Sequence, residues 1–319
     1  MRARPRLLAV LCAVLLLGRG WGDPAQEAAS GEFDGPWTFG VQPGELHQAY
    51  VAGPEPSPVA LPNCAVDSDR EYPVLSRDGR SIAMIGCWSV EDGVYETVVI
   101  RDRALVKIPS ITGNAEWVGA TGHLVGESDA GVLHLVDTAE PAGPGRVVAN
   151  LGGTIHTVDV NAAGTTALVA HGGRVVNRDS KGVLVDTRLT AVSLSTRDLT
   201  SIEAPAGTVN ARWSPDGTRI VAETATEWVT LSGLPMGPTS RRPRPHTTLT
   251  SAAEGRSTLR CHLVAVTDRS SVGWCAATGE VMRYEGDRAG ARVARFDQES
   301  SLGGHVGVAA DRLSGTAAG

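Results

Sequence analysis

The chain has 319 residues, with 29 Lys and Arg against 35 Asp and Glu, and a formal net charge of −6 at pH 7. This acidic balance argues against a nucleic-acid-binding surface, which needs a basic stripe. Hydrophobic residues make up 42% of the chain, enough for a large core, so the composition excludes bulk disorder.

Residues 1–22 have the pattern of a secretory signal peptide. Three arginines precede a twelve-residue apolar run at 7–18, and Gly20 and Gly22 supply the small residues of a cleavage site. Twelve helical residues cover about 18 Å, well short of a hydrocarbon core of roughly 30 Å. We therefore predict a secreted or extracytoplasmic protein with no membrane span after signal removal and a flexible linker at 23–35. An uncleaved N-terminal anchor is the alternative.

Four cysteines follow the predicted signal peptide: Cys64, Cys87, Cys261 and Cys275. Their even number fits an oxidising compartment, and four cysteines permit three pairings. We favour Cys64–Cys87 and Cys261–Cys275, because each bond then stays within one local unit. Each bond would close a loop of roughly 15 to 25 residues, worth about 3 kcal/mol. No CxxC or Cys–x–His spacing occurs, so we predict no metal and no other cofactor.

Beyond the signal peptide, short β-type runs alternate with glycine-bearing turns, and no long amphipathic helix is predicted. Five units share this pattern: residues 72–86, 114–126, 155–170, 209–226 and 259–276. In the first four units, the turn glycines recur every 42 to 53 residues: Gly79, Gly122, Gly164 and Gly217. Further β-like runs follow the first three units, and four short strands per roughly 40–50 residues make one β-propeller blade.

Two segments interrupt the repeat. Residues 171–189 lengthen the third unit, and residues 234–246 interrupt the fourth. The second segment is rich in proline and contains Arg241, Arg242 and Arg244, which predicts an exposed loop insertion. We interpret this loop either as a solvated excursion or as a basic docking site for an acidic partner or an anionic polymer.

The best copy of the repeat also resembles a known family. The stretch WSPDGTRI at 213–220 resembles the WSPDG repeat of TolB-like β-propellers, and LSRDGRSI at 75–82 is similar. The motif serves to form a turn and to pack it, because proline at the second turn position and glycine at the fourth suit a type I turn. The resemblance implies a single all-β propeller domain over 36–319 with six blades. One blade would combine N- and C-terminal segments, which removes free strand edges. The poorer turns of the second, third and fifth units leave five or seven blades open.

Candidate site residues come from the predicted inner strands, because no P-loop, dinucleotide-binding, HExxH or GxSxG motif occurs. Aligning the turns places five residues at one level of these strands: Val74, Trp117, Asp159, Arg212 and Ala265. Asp159 and Arg212 would lie on neighbouring blades. There they would form a channel salt bridge or hold a ligand.

Three histidines lie near the starts of predicted inner strands: His156, His262 and His305. A histidine-based lyase or a metal site uses such an arrangement, but no carboxylate is evident in the sequence to orient the rings. We therefore predict no catalytic residue. We expect a monomeric, non-catalytic propeller that binds a protein or cell-envelope component through one face of the ring. A secreted hydrolase or lyase acting at the channel mouth is the alternative.

Overall fold

The computed structural model describes residues 38–41, 48–52, 57–60, 64–65, 72–77, 79, 81–89, 94–101, 104–129, 131–143, 145–178, 181–232, 237–251, 255–267, 269–275, 278–286, 288, 290–295 and 306–308. All regular elements in these ranges are β-strands, which confirms the all-β prediction. Within them, no helix of the length and apolarity needed to cross a membrane is found. The predicted signal peptide and linker and His305 lie outside the described residues.

Four antiparallel sheets are built from consecutive strands, and in each the first strand is innermost. Sheet C contains β9 (Ala115–Trp117), β10 (His123–Asp129), β11 (Val132–Asp137) and β12 (Arg146–Asn150). Sheet D contains β13 (Ile155–Val160), β14 (Thr166–Arg178), β15 (Lys181–Ser193) and β16 (Leu199–Ile202). Sheet E contains β17 (Asn210–Trp213), β18 (Arg219–Glu223), β19 (Glu227–Ser232) and β20 (Gly237–Pro243). Sheet F contains β23 (His262–Val266), β24 (Ser271–Cys275), β25 (Glu280–Tyr284) and β26 (Ala291–Arg295).

Sheet A takes strands from both ends of the chain. It contains β1 (Thr38–Val41), β2 (Gln48–Ala52), β3 (Ser57–Ala60) and β27 (Val306–Val308), and β27 pairs with β1. Sheet B contains β4 (Cys64–Ala65), β5 (Tyr72–Leu75), β6 (Ile82–Ser89), β7 (Val94–Arg101) and β8 (Ala104–Ile108). A separate two-stranded ribbon contains β21 (His246–Ser251) and β22 (Gly255–Arg260).

The prediction of six blades is wrong, because among the described residues the four-stranded blades number five: sheets A, C, D, E and F. Sheet B differs, with five strands in one sheet. Its hairpin strands β6 and β7 have eight residues each, so they extend past the four-residue β5. The overhanging Trp88 and Ser89 pair with β4, and a register shift between Met84 and Cys87 marks where β6 leaves its regular path. Turn spacing alone could not reveal this fifth strand.

The hydrophobic core lies between neighbouring sheets. Each buried cluster joins two sheets, as where Val74 and Ile85 of sheet B pack with Trp117 and Leu124 of sheet C. Trp117 is fully buried, and its indole N–H donates to the carbonyl of Val74 at 3.0 Å across this boundary. The inner strands β5, β9, β13, β17, β23 and β27 contact one another in that order around a central channel. Packing between sheets therefore fixes which side chains meet in the channel.

Three extended hairpins lie on the ring face where the inner strands begin, which we call the hairpin face. The paired ends of β6 and β7 that extend past β5 form one. The second is the far half of the hairpin that β14 and β15 form. These strands pair from Thr166 opposite Ser193 to Arg178 opposite Lys181, so they extend well past the ends of β13 and β16. The third is the β21–β22 ribbon, which precedes β23. At roughly 3.3 Å per residue, the last two each extend about 20 Å.

A second prediction, the loop insertion at 234–246, is corrected by the described part of that segment. Residues 237–243 form β20, the outermost strand of sheet E, rather than a loop insertion. Prolines are compatible with this position, because an edge strand has backbone N–H groups that need no ladder partner. Residues 171–189 do lengthen sheet D as predicted, since they belong to β14 and β15.

Candidate functional site

At the hairpin face, the same set of hydrogen bonds joins neighbouring sheets at two places beside the channel entrance, and we call this set the clasp. In sheet E, the Asn210 side chain donates to the Leu263 carbonyl at 2.6 Å, and the Leu263 N–H donates to Glu223 at 2.6 Å. In sheet C, Asn114 donates to the Ile155 carbonyl at 2.8 Å, and the Ile155 N–H approaches Glu127 at 3.4 Å. In each case, one residue of the next inner strand, Leu263 or Ile155, has both its backbone N–H and its carbonyl in contact with side chains of the preceding sheet.

Glu223 also organises a buried ion pair beside the channel mouth. Its carboxylate lies 2.6 Å from the Arg244 guanidinium, and both side chains are more than nine-tenths buried. His262 joins this pair, because its Nδ1 lies 2.9 Å from Arg244 Nη2 and 3.3 Å from Glu223 Oε1. Arginine can only donate, so the neutral His262 ring accepts at Nδ1 and has its proton on Nε2. The exposed part of this ring is thus an N–H donor at the entrance.

Deeper in the channel, one guanidinium joins side chains from three sheets. Arg212 Nη1 lies 3.2 Å from Glu116 Oε2 and 3.5 Å from Asp159 Oδ1. Asp159 also accepts the Trp213 backbone N–H at 2.5 Å, and Glu116 accepts that of Trp117 at 2.9 Å. We call Glu116, Asp159 and Arg212 the channel triad.

Burial dominates the electrostatics of the triad. Desolvation raises the pKa of Glu116 from 4.5 to about 7, against the favourable charge of Arg212 and with a further upward contribution from Asp159. The pKa of Asp159 is also raised by burial, and Arg212 and the Trp213 N–H oppose that rise. Arg77 adds a second, smaller opposing contribution at both carboxylates, but burial outweighs both cations at Glu116, which is therefore sensitive to protonation near neutral pH.

Two cavities meet at the triad. The larger, about 320 Å³, lies toward the hairpin face and includes His156, Asn210 and His262 in its lining. The smaller, about 40 Å³, lies toward the opposite face and includes Arg77 and Asp159. Glu116 and Arg212 line both cavities, so their ion pair forms the floor of the larger one.

The structure brings together Asp159 and Arg212, which the sequence placed on neighbouring blades. Glu116 was missed, because aligning the turn glycines put Trp117 at this level instead. The turn-closing bonds start at Val118, Asn161 and Ser214, so the residues two positions earlier are Glu116, Asp159 and Arg212. Gly122 stands fifth in its six-residue turn, whereas Gly217 stands fourth, which shifts the alignment by one residue.

His156 and His262 both line the larger cavity, as expected from their strand positions. His156 Nε2 lies 2.6 Å from the Gly172 carbonyl, which can only accept, so this nitrogen has the ring proton. No polar partner that would orient His262 was evident in the sequence, but Arg244, which is held by Glu223, donates to its Nδ1. Glu223 did have a sequence signal, because the spacing from Asn to Glu is 13 residues both at 114–127 and at 210–223.

The predicted bond between Cys261 and Cys275 is confirmed. It lies beside Tyr284, whose hydroxyl is 3.4 Å from the Cys275 sulfur. Cys87 is also a disulfide cysteine. Its predicted partner, Cys64, has its backbone opposite Ser89, two residues from Cys87 on the same strand. The Cys64–Cys87 bond stays a prediction.

Comparison with known proteins bears on the fold. No protein-family model matches the sequence, and no curated protein matches it. Among solved structures, a β-propeller chain of the nidogen/laminin complex is similar, with a TM-score of 0.59 and 8% identity over 86% of this chain and 98% of that one. The Pan2 WD40 domain of Neurospora crassa has a TM-score of 0.44 and 13% identity, over 72% of this chain and 66% of that domain. At this identity, the nidogen/laminin likeness shows a propeller fold.

Proposed function

We propose that this chain is an exported, monomeric propeller of the TolB-like kind that binds a protein or cell-envelope component through its hairpin face, without catalysis. The observation that supports this proposal is the asymmetry of the two faces. Binding residues in rigid scaffolds concentrate on extended loops, and here the extended segments share one face. On the opposite face, the inner turns close within six residues, as from Ser214 to Arg219.

The β21–β22 ribbon suits recognition because its strand edges remain open among the described strands. Among the described residues, β21 and β22 pair only with each other. A lone two-stranded ribbon is marginally stable in water, so contact with a partner would stabilise it. Unpaired edge N–H and C=O groups also permit recognition by strand addition.

Export is supported by the oxidised cysteines. The Cys261–Cys275 bond joins two buried cysteines, one directly before β23 and one at the end of β24. Structural disulfides persist in oxidising compartments and are rare in the cytosol. Together with the predicted signal peptide at 1–22, this bond favours a secreted or extracytoplasmic location.

The test is cross-linking of the tagged chain on its own cell surface, followed by mass spectrometry. Two variants are compared with the wild type: one with residues 173–186 replaced by a two-residue turn, and one with the opposite-face loop 139–144 shortened. We expect one stoichiometric partner, lost in the first variant and retained in the second. Loss in both variants, or in neither, would contradict docking through the hairpin face.

A hydrolase or lyase at the channel mouth is the second candidate, favoured by the anchored His262 ring. Arg244, held by Glu223, donates to Nδ1 of this ring, so the ring has its proton on Nε2, from which it would hydrogen-bond to a substrate. A glycan and lactone screen of the wild type, beside His262→Ala and His156→Ala, tests the idea. Turnover that both variants leave unchanged would dispose of this candidate.

A further inference from the structure

The charges around the larger channel cavity compensate one another. Glu223 has its own cation, since Arg244 lies 2.6 Å away. At the floor, the two carboxylates of the channel triad contact its arginine at 3.2 and 3.5 Å, and Arg77 acts electrostatically on both from the side of the smaller cavity. Among the described residues, three carboxylates therefore face three guanidinia. The protein leaves no net charge here for a ligand to neutralise.

The larger cavity has two chemically different sides. Sheets A and B line it with aliphatic side chains such as Val74 and Val306, and Val264 of sheet F extends this side. Sheets C, D and E contribute most of the polar groups, including the Glu116 and Arg212 ion pair at the floor. Small-molecule sites have volumes of roughly 300–1,000 Å³ and combine apolar walls with a few placed polar groups. At about 320 Å³, this cavity fits that description, and its two sides suit an apolar body with a polar head group.

Two neutral histidines give the polar side one fixed donor and one fixed acceptor. Arg244 donates to Nδ1 of His262, so the proton of this ring is on Nε2, and more than half of the side chain is exposed. His156 donates from Nε2 to the Gly172 carbonyl at 2.6 Å, so its Nδ1 is an acceptor. Both rings line the larger cavity. A head group that both accepts and donates hydrogen bonds matches this lining.

We propose that the larger cavity binds a neutral small molecule, with a short aliphatic body and an uncharged head group that accepts and donates hydrogen bonds, as an amide does. The amide carbonyl accepts from His262 Nε2–H, and the body packs against the aliphatic side at Val264 and Val306. Each carboxylate and guanidinium of the lining already lies beside an opposite charge, so a charged head group would lose its hydration without gaining a counter-charge. This site is distinct from the docking surface of the hairpin face, and its existence does not depend on that surface.

The experiment uses three probes with one aliphatic body and different head groups: cyclohexylacetamide, cyclohexylacetate and 2-cyclohexylethylammonium. Each is titrated calorimetrically into the wild-type chain at pH 8, where the second probe is an anion and the third a cation. We expect the amide to bind with a dissociation constant on the order of 1 mM or tighter, and at least about tenfold more tightly than either charged probe. Binding of either ion as tight as that of the amide, or no binding of the amide, would overturn the proposal.

Two substitutions locate the bound probe. Val264→Phe puts an aromatic ring into the space of the aliphatic body and should weaken amide binding at least about tenfold. His262→Ala removes the donor to the amide carbonyl and should weaken binding about three- to tenfold, as expected for a single hydrogen bond. Val147→Phe, at an exposed position of sheet C, and His123→Ala, outside the lining of the cavity, should bind the amide as the wild type does.

Folding and docking are kept apart from binding in this design. Circular dichroism establishes that the variants are folded, and the three-probe comparison on the wild type needs no variant. The variant lacking 173–186 should still bind the amide probe, whether or not it retains a protein partner. Unchanged affinity in a folded Val264→Phe or a folded His262→Ala would also overturn the proposal, because the amide would then lie elsewhere.

Discussion

Arg212 and Glu116 form an ion pair across the channel, with Nη1 3.2 Å from Oε2, although their sheets are not neighbours in the ring. The inner strand of sheet D lies between them, and its Asp159 contacts the same guanidinium at 3.5 Å. A single side chain therefore links sheets C, D and E. The two partners are 96 positions apart in the sequence, so this contact forms only once the three sheets are packed side by side.

Arg212→Met should destabilise the folded chain strongly. The substitution keeps the aliphatic volume but leaves Glu116 and Asp159 buried near each other without their shared cation. Removing one partner of a buried ion pair costs about 3–5 kcal/mol in free energy of unfolding. Urea denaturation at pH 8 would measure this loss. Arg174→Met is the matched control, since its ion pair with Asp186 is mostly exposed and should contribute less than about 1 kcal/mol.

The stability of the chain should fall as the pH rises from about 4.5 to about 7 because of Glu116. Its pKa is higher in the folded chain, where burial raises it from 4.5 to about 7, so the folded state binds the proton more tightly. Stability from this proton is fully present below the unfolded pKa and is lost as the pH passes the folded one. Relative to Glu116→Gln, the wild type should lose up to about 3 kcal/mol between pH 4 and pH 8.

Urea denaturation across that range measures the difference. Glu140→Gln, whose carboxylate stands on an exposed turn, should follow the wild-type pH profile. A constant difference between the wild type and Glu116→Gln at every pH would contradict a raised pKa at this position.

The repeated clasp predicts two similar and independent losses of stability. Asn210→Ala removes the donor to the Leu263 carbonyl, and Asn114→Ala removes the donor to the Ile155 carbonyl. Each should cost about 1–3 kcal/mol, because a buried backbone acceptor loses its partner. The double variant should show an additive loss within about 0.5 kcal/mol, as the two clasps share no residue. Asn150→Ala, an exposed asparagine, is the control, and a strongly non-additive pair would contradict independent clasps.

The sequence predicted the general architecture because the turns are local. A glycine at the fourth position of a turn and short β-runs on either side recur along the chain, and these are properties of neighbouring residues. Asp159 and Arg212 were predicted to lie on neighbouring blades for the same reason, since each stands five residues before its turn glycine. In the turn at 118–123, Gly122 stands one position later than the glycines of the other turns. Aligning the glycines therefore pointed to Trp117, and Glu116 was missed.

Contacts between distant sheets could not be read from local patterns. Arg244 was assigned to an exposed loop, yet it is buried against Glu223 because β20 follows the edge of sheet E and returns the chain to the channel mouth. The fifth strand of sheet B depends on an overhang at Ser89 that pairs with a two-residue strand. Neither feature has a periodicity of its own in the sequence.

Both disulfides should be present in the protein purified from its native compartment. Non-reducing peptide mapping is expected to show Cys261–Cys275 and Cys64–Cys87. The double substitution of Cys261 and Cys275 by Ser should cost about 3 kcal/mol, because their separation of 14 residues closes a short loop. Thermal unfolding with and without reductant measures this loss, and reductant should affect the double variant less than the wild type. Free thiols at all four positions would contradict both the pairing and the predicted export.

Gly307→Ala should weaken the junction between the two ends of the chain. A Cβ at Gly307 would lie 2.8 Å from the Pro73 carbonyl oxygen and 2.5 Å from the Leu75 Cδ1 atom. The leucine tip can move, but the backbone of β5 cannot do so without disturbing its pairing with β6, so we expect a loss of about 1–3 kcal/mol. Gly143→Ala, at a half-buried turn where a Cβ would lie 3.2 Å from the Glu140 carbonyl oxygen, should change the free energy of unfolding by less than half of that. A Gly307→Ala chain as stable as the wild type would mean that β27 does not lie beside β5, and the ring would then have to close in another way.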